Sequence, residues 1–272
     1  MVRLSMDAVA LIKVDQNFAT ALVKGLEIIG GFGSLRSPVI IKPNICTITD
    51  NTGYSVTHAQ IIDILLDLLF HQQPDLCIKI VESDSQSKWA NEAFTKYGYT
   101  DLERKYTKKD YNLSLVNLSK CPTEIISFEG AYFTNPEIPN ILINPGYFIS
   151  VAQAKTHYLT SITGVLKNLF GLLPLKTQSY YHPNINEVIV DLNRIFSPNL
   201  CIIDARMGVE GWNGPKITPL NTIIMGYKPV SVDAMMAQIL GLQPENIQHI
   251  VACSRFDLGK LNPQILGEIE GK

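Results

Sequence analysis

The sequence lacks any pair of closely spaced cysteines. Its five cysteines lie far apart, and the shortest interval, from Cys46 to Cys77, already spans 31 positions. Zinc sites of the zinc-finger type and ferredoxin-type clusters need cysteines within a few residues of each other. We therefore expect no intrinsic iron-sulfur cluster. The odd number of cysteines, in a chain without an export signal, predicts reduced thiols.

Long hydrophobic runs are also missing. The most apolar run, "IIDILLDLLF", contains two aspartates at helical spacing and is far shorter than the roughly 20 residues that cross a bilayer. Asp7 interrupts the apolar part of the opening "MVRLSMDAVALIKVD", which does not fit a secretory signal peptide. The sequence thus predicts a cytoplasmic protein with no membrane partner.

The chain has no excess of positive charge. Its net charge is -2 at pH 7, which argues against a nucleic-acid partner and requires any anion site to be local. The glycine-rich nucleotide motifs, the G-x-S-x-G elbow and the H-E-x-x-H motif are absent. Dinucleotide binding, P-loop chemistry, serine hydrolysis and zincin proteolysis therefore have no local support.

What is present is the alternation of strands and helices. Short β-branched runs such as "SPVIIKPN" alternate with helical patterns such as "THAQIIDILLDLLFHQ". Strands that are apolar throughout, separated by helices, indicate a mainly parallel sheet with helices on both faces. We predict an α/β fold and a single domain over residues 1–272. Residues 100–140 are polar and irregular, and we interpret them as an insertion or a small antiparallel subdomain.

Polar residues follow the apolar runs, where the strands of such a sheet end. Ligands of open parallel sheets bind outside the carboxyl ends of the strands. Candidate substrate-binding residues there are Lys42, Asn44 and Lys155. Each candidate at a strand end also has a structural interpretation, as a solvated lysine, a helix cap or a turn residue. Candidate oxygen ligands for a divalent metal such as magnesium are Glu82, Asp84, Glu210 and Asp233.

The segment "TGVLKNLFGLLPLK" carries a polar pair inside an apolar stretch. On a helix, Gly164, Lys167, Asn168 and Gly171 share one face, and the apolar residues occupy the other. The two glycines would let a backbone or a small ligand approach the lysine and the amide. We therefore count Lys167 as a candidate catalytic residue, and Gly164 and Asn168 as candidate substrate-binding residues. The alternative is that the polar pair faces water and the glycines ease helix packing.

His157 is the candidate acid/base group. It lies two residues after Lys155, and a nearby cation would lower its pKa. A hydrogen bond that fixes a loop is the competing interpretation. Asp204 follows an apolar run and is a candidate catalytic base or metal ligand, whereas Cys46 is a weaker candidate for a reactive thiol.

Seven stretches of the chain occur in an order that resembles domain-of-unknown-function family 362. The stretches are "VIIKPNICT", "THAQIIDILLDLL", "ESDS", "AKTHYLTSITGVLKNLFGLLP", "DLNRI", "CIIDARMGVEGWNGP" and "KPVSVDAMMAQILG". The resemblance runs from about Val39 to Gly241 and implies an α/β protein. The longer members of this family often carry a ferredoxin-like segment with clustered cysteines, and this chain has no such cluster. The family's recurring polar positions match Lys42, Asn44, Lys155, His157, Lys167, Asn168, Asp204, Glu210 and Asp233.

Together these features predict an enzyme that acts on a small anionic metabolite, with a carboxylate or a phosphate group. Lys42, Lys155 and Lys167 would bind the anion, and His157 would move protons. Asp204, Glu210 or Asp233 would bind a metal or act as base. The alternative is a non-catalytic binding or accessory protein that works with a separate iron-sulfur or redox partner, or as a homo-oligomer.

Overall fold

The computed structural model describes residues 5–15, 17–174 and 178–267. The strands in these ranges are β1 Val9–Lys13, β2 Val39–Pro43, β3 Cys77–Glu82, β4 Asn112–Asn117, β5 Thr123–Ile125, β6 Glu137–Pro139, β7 Tyr147–His157, β8 Ser161–Ile162, β9 Leu200–Val209, β10 Ile217–Gly226 and β11 Ile265–Gly267. The α-helices are α1 Phe18–Ile29, α2 Ala59–Gln72, α3 Ala90–Lys96, α4 Tyr99–Thr107, α5 Gly164–Asn168, α6 Gln178–Tyr181, α7 Ile185–Ile195, α8 Pro229–Ile239 and α9 Gln248–Cys253.

One nine-stranded sheet organises the molecule. Eight strands follow the order β11-β1-β10-β9-β7-β2-β3-β4, and β8 pairs with the end of β7. Five neighbouring strands are mutually parallel, namely β9, β7, β2, β3 and β4. Strand β10 runs antiparallel to both of its neighbours, β1 and β9. The sheet is therefore mostly parallel.

Helices cover both faces of this sheet. In β2, Val39 and Ile41 pack with α1, α2, α3 and α4 in one core, whereas Ile40 packs on the opposite side with α7. A third cluster on that side includes residues of α5, α8 and α9. Successive side chains of a strand point to opposite faces, which is why a continuous apolar run serves both layers. The predicted α/β fold with helices on both faces is confirmed.

The polar region 100–140 contains two different parts. Helix α4 packs on the main sheet, and β4 extends that sheet in parallel beside β3. Strands β5 and β6 form a separate two-stranded antiparallel sheet. The antiparallel element thus occupies only the second part of this region, because the first part completes the α/β alternation.

The central strands β2, β3 and β7 place the site. They are parallel neighbours, so their carboxyl ends lie at one edge of the sheet. This is the edge at which α/β sheets bind ligands. None of the helices in residues 5–15, 17–174 and 178–267 combines the length and the hydrophobicity that a bilayer crossing needs.

Candidate active site

A cavity of about 310 Å³ lies where β2, β3 and β7 end. Its wall carries four lysines but a single carboxylate, that of Glu82. The short helix α5 and the 3-10 turn that follows it, Leu169–Leu172, also contribute to the wall. The sequence-predicted residues that line this cavity are Lys42, Asn44, Glu82, Lys155, His157, Lys167 and Asn168.

Glu82 lies between two lysine ammonium groups. Its Oε2 is 2.7 Å from Lys42 Nζ and its Oε1 is 3.4 Å from Lys88 Nζ, and all three side chains are 1% exposed. Lys42 also donates to the carbonyl of Pro43 at 2.6 Å. A buried carboxylate needs such partners, because an isolated charge is costly away from water. The structure thus places Glu82, a predicted metal ligand, as the counter-ion of two lysines.

Lys155 has no carboxylate among its hydrogen-bond acceptors in the described chain. Its Nζ donates to Asn44 Oδ1 at 2.8 Å, to the carbonyl of Ser55 at 2.8 Å and to Cys46 Sγ at 3.3 Å. The side chain is buried at the end of β7. All three N–H donors of the ammonium are occupied, so Lys155 offers a ligand its positive charge rather than a free donor.

Asn168 links α5 to the strand ends. Its Nδ2 donates to the carbonyl of Lys42 at 3.0 Å and to Ser150 Oγ at 3.1 Å. Its Oδ1 accepts from Asn44 Nδ2 at 3.3 Å. The predicted substrate-binding amide therefore has its donor and acceptor atoms engaged within the protein, where it fixes the cavity wall.

The polar face of α5 points into the cavity and not into water. Asn168 is only 3% exposed, and a Cβ at Gly171 would lie 2.5 Å from Lys42 Nζ. The absence of a side chain at Gly171 is thus what lets the Lys42 ammonium approach this turn. This geometry answers why the polar pair is followed by a glycine.

Gly164 has a similar role toward Asp233. Its φ is +58°, and a Cβ there would lie 2.2 Å from Asp233 Oδ1. The Asp233 carboxylate accepts from the amides of Val165 at 2.7 Å and Leu166 at 3.0 Å, so it holds the start of α5. Burial raises the pKa of Asp233 to about 7, although these two amides oppose the rise. The structure places Gly164 against Asp233, and Asp233 behind the cavity rather than beside other carboxylates.

Lys167 differs from the other cavity lysines. Among the described residues, no acceptor lies within hydrogen-bonding distance of its ammonium. Burial, and then the charge of Lys155, holds the pKa of Lys167 well below its ordinary value of 10.5, although Cys46 acts in the opposite direction. The result is a lysine on the cavity wall whose N–H donors are available to a ligand.

His157 is a neutral imidazole with a defined tautomer. Its Nδ1 accepts the backbone N–H of Leu159 at 3.1 Å, which leaves the ring hydrogen on Nε2. Burial, followed by the charges of Lys167 and Lys155, lowers its pKa to about 3. The ring lines the cavity, so it can donate Nε2–H to a ligand at neutral pH.

Asp204 does not reach the cavity. The sequence predicts the end of a strand at Asp204, but β9 continues to Val209 and leaves Asp204 in the middle of this strand. Arg206 binds both carboxylate oxygens, with Nε 2.9 Å from Oδ1 and a terminal nitrogen 2.8 Å from Oδ2. Both oxygens of this carboxylate are therefore bound by one guanidinium group.

The remaining predicted metal ligands also lie apart. Asp84 accepts from the amide of Ala90 at 2.7 Å and from Asn117 Nδ2 at 2.9 Å. Glu210 lies on the exposed β9–β10 turn, 3.3 Å from Lys216 Nζ. In the part of the chain that the structure describes, no three His, Cys, Asp or Glu side chains come together as a metal site. Each predicted ligand has a separate structural partner instead.

Sequence reasoning missed several wall residues. Lys88 lies on the loop after β3, six residues beyond the end of the strand at Glu82. Trp212 belongs to the turn "EGWNGP", and Thr163 precedes α5. All three line the cavity. The one usable signal was the lysine in "SDSQSKW", because the loop after a parallel strand reaches the same edge as the strand end.

Three comparisons relate the chain to known proteins. It is 25% identical over 253 residues to a thylakoid-associated protein of Synechocystis sp., covering 86% of this chain and 73% of that protein. It is also similar to the lactate racemase apoprotein from Thermoanaerobacterium thermosaccharolyticum, with a TM-score of 0.42 and 12% identity over 80% of this chain and 48% of that one. This chain thus spans about half the length of the racemase. A family model described as "Domain of unknown function (DUF362)" matches residues 39–238, and the chain belongs to that family.

Proposed function

We propose that this chain is an enzyme that binds a small carboxylate or phosphate metabolite in the cavity at the ends of β2, β3 and β7. The observation that carries the proposal is the concentration of charge in the cavity wall. Four lysines and one glutamate line it, although the whole chain has a net charge of -2. Cations behind low-dielectric walls concentrate their field on a bound anion.

The cavity residues divide into two roles. Lys42, Lys88 and Lys155 have protein partners and supply a fixed positive charge. Lys167 and His157 keep donors for the ligand and would contact it directly. Fixed charges and donors of this kind stabilise negative charge that develops in a transition state, and one well-placed donor contributes about 3 kcal/mol.

Isothermal titration calorimetry tests this proposal with inorganic phosphate, glycolate and 2-hydroxyglutarate as probes. Lys167→Met should weaken binding about tenfold or more, since a hydrogen bond to a charged group contributes about 1.5–3 kcal/mol. Lys216→Met is the matched control, because Lys216 is exposed and pairs with Glu210, and neither residue lines the cavity. Equal affinities in the wild type and Lys167→Met would contradict the assignment of this cavity. The titrations are run with and without magnesium chloride, because the sequence also predicted a divalent metal.

A further inference from the structure

The Lys167 amine has features that anion binding alone does not use. We infer that Lys167 is a nucleophile that forms an imine with the carbonyl carbon of a small 2-oxo acid. The substrate class would then be carboxylates that carry an adjacent carbonyl group. This inference rests on the proposed function, because the same cavity must first bind the carboxylate.

The availability of the amine singles out Lys167 among the cavity lysines. Lys42 and Lys88 form ion pairs with Glu82, and Lys155 uses all three of its N–H donors. An amine attacks a carbonyl only in its neutral form. Lysines that act in this way are activated by burial or by a neighbouring cation. Lys167 is subject to both, since burial and then the charge of Lys155 disfavour its ammonium form, and its side chain lines the cavity.

The neighbouring groups fit the two ends of a 2-oxo acid. The carboxylate would lie against the fixed charges of Lys42 and Lys155. The carbonyl oxygen would accept Nε2–H from His157, whose tautomer the Leu159 amide sets. Phe170 and Ile45 complete the wall with apolar surface, which limits water around the reacting atoms.

The chemical step balances without an added oxidant or reductant. The lone pair of Lys167 Nζ forms a bond to the carbonyl carbon, and the carbonyl oxygen takes up a proton, which gives a carbinolamine. The nitrogen then gives one proton to solvent, and the hydroxyl takes up a second proton from solvent. The C–O bond breaks and the oxygen leaves as water while the nitrogen lone pair forms the C=N bond, and the last nitrogen hydrogen is released to solvent as a proton. His157 acts here as a neutral hydrogen-bond donor that polarises the carbonyl, and the protons exchange with solvent.

Reductive trapping tests the inference on the full chain. The protein is incubated with glyoxylate or 2-oxoglutarate and sodium cyanoborohydride, and the modified lysines are mapped by peptide mass spectrometry. We expect Lys167 to be labelled at least about tenfold more than any other lysine, because each unit by which the pKa falls raises the neutral fraction of an amine about tenfold. Lys167→Arg should lose the label at this position and keep a cation there, since a guanidinium forms no such imine.

Matched hydroxy acids separate this inference from the proposed function. Glycolate and 2-hydroxyglutarate carry the carboxylate without the carbonyl, so they should protect Lys167 of the wild type from labelling. Protection needs no variant and keeps the test valid if Lys167→Arg does not fold. Binding of the hydroxy acids, with Lys167 labelled no more than surface lysines by the oxo acids, would overturn the imine and leave the anion site standing. Absence of both binding and labelling would reject the proposed function together with the inference.

Discussion

Two lysines of one cavity illustrate how much the partners of a charge decide its role. Lys155 has three acceptors, whereas Lys167 has none among the described residues. Both side chains line the same cavity, but Lys155 is buried and Lys167 is only partly buried. The first lysine therefore contributes to stability, and the second is free to act on a ligand.

Methionine substitutions should separate these roles. Lys155→Met leaves Asn44 Oδ1 and the carbonyl of Ser55 without their donor, and we expect the unfolding free energy to fall by about 2–4 kcal/mol, since each unsatisfied buried group costs about 1–3 kcal/mol. Lys167→Met should change it by less than about 0.5 kcal/mol or raise it, because a poorly solvated amine is replaced by an apolar chain of similar length. Urea unfolding at pH 7 measures both. Equal losses in the two variants would show that Lys167 has a structural role.

His249 is a second residue whose environment disfavours charge. It is fully buried, and neither ring nitrogen has a hydrogen-bond partner among the described residues. Burial, and then the charge of Lys167, lowers its pKa to about 3. The unfolded histidine takes up a proton near pH 6.5, whereas the folded one remains neutral, so the unfolded state binds more protons between these values.

Stability should therefore fall as the pH drops from about 6.5 toward 3. We expect His249→Leu to unfold at higher urea concentration than the wild type at pH 7 and to lose less stability between pH 7 and pH 5. His157, whose pKa is lowered in the same direction, should leave a residual slope in that variant. A His249→Leu protein with the same pH slope as the wild type would mean that His249 is not the source of the acid sensitivity.

At the scale of elements, α5 shows what a helical pattern can and cannot predict. The sequence placed Lys167 and Asn168 on one face with Gly164 and Gly171. In the structure Lys167, Asn168 and Gly171 line the cavity, whereas Gly164 lies against Asp233. The helix is only five residues long and continues as a 3-10 turn, which is why the two glycines separate. Periodicity predicts the face of a helix, but the partners of Asn168 come from β2 and β7, more than ten residues away in the chain.

The start of α2 is a similar case. The sequence places Thr57 where a helix cap would be, with Gln60 three residues later. In the structure, α2 begins at Ala59 without a side-chain cap. Thr57 Oγ1 instead donates to the carbonyl of Val151 and accepts from the amide of Asn44. Its hydroxyl thus links two chain segments beside the cavity. A local sequence motif cannot indicate partners that are so distant in the chain.

The entry into α5 leads to a further prediction. Gly164→Ala would combine a positive φ with a Cβ that overlaps the Asp233 carboxylate. Gly241→Ala is the matched control, since its φ is +78° and nothing lies within 4 Å of the added Cβ. We expect the control to lose only the cost of the left-handed backbone, about 1–2 kcal/mol. Gly164→Ala should lose about 1–3 kcal/mol more through overpacking.

Urea unfolding of the two alanine variants measures this difference directly. Calorimetric binding of phosphate adds a second measure, because α5 carries Lys167 and should shift when Asp233 is displaced. If both variants lose the same stability, the close approach of Asp233 to Gly164 does not hold the start of α5.

At the scale of the whole molecule, the fold class could be predicted and the charge distribution could not. Apolar runs that alternate with helical patterns are local features, so the sequence alone indicated a mostly parallel sheet. The parallel direction of the strands also indicated the edge of the sheet at which a ligand would bind, namely that of their carboxyl ends. The ion pairs, such as Lys42–Glu82 and Asp204–Arg206, could not be predicted. They depend on where each strand ends, which the sequence does not give accurately. For this reason, the carboxylates that the sequence predicted as metal ligands lie apart in the structure, each with its own partner.

The single domain predicted from the sequence has its own test. In the described ranges, the nine-stranded sheet carries the three hydrophobic clusters on its two faces, so removing either layer of helices exposes the same strands. We therefore expect one cooperative unfolding transition. Far-UV circular dichroism reports on the whole sheet, whereas tryptophan fluorescence reports on Trp212 of the cavity wall and on Trp89 of the neighbouring loop.

The midpoints from the two probes should coincide in urea, as two-state unfolding requires. The variant Trp89→Phe assigns the fluorescence to Trp212 and thus to the cavity itself. A saturating ligand should then raise the common midpoint without changing the slope. At a ligand concentration 100 times its Kd, the free energy of unfolding should rise by about 2.7 kcal/mol. If the fluorescence of Trp212 instead changes at lower urea than the dichroism, the cavity edge unfolds as a separate unit. Ligand binding would in that case stabilise only this edge, because the rest of the sheet would remain folded without it.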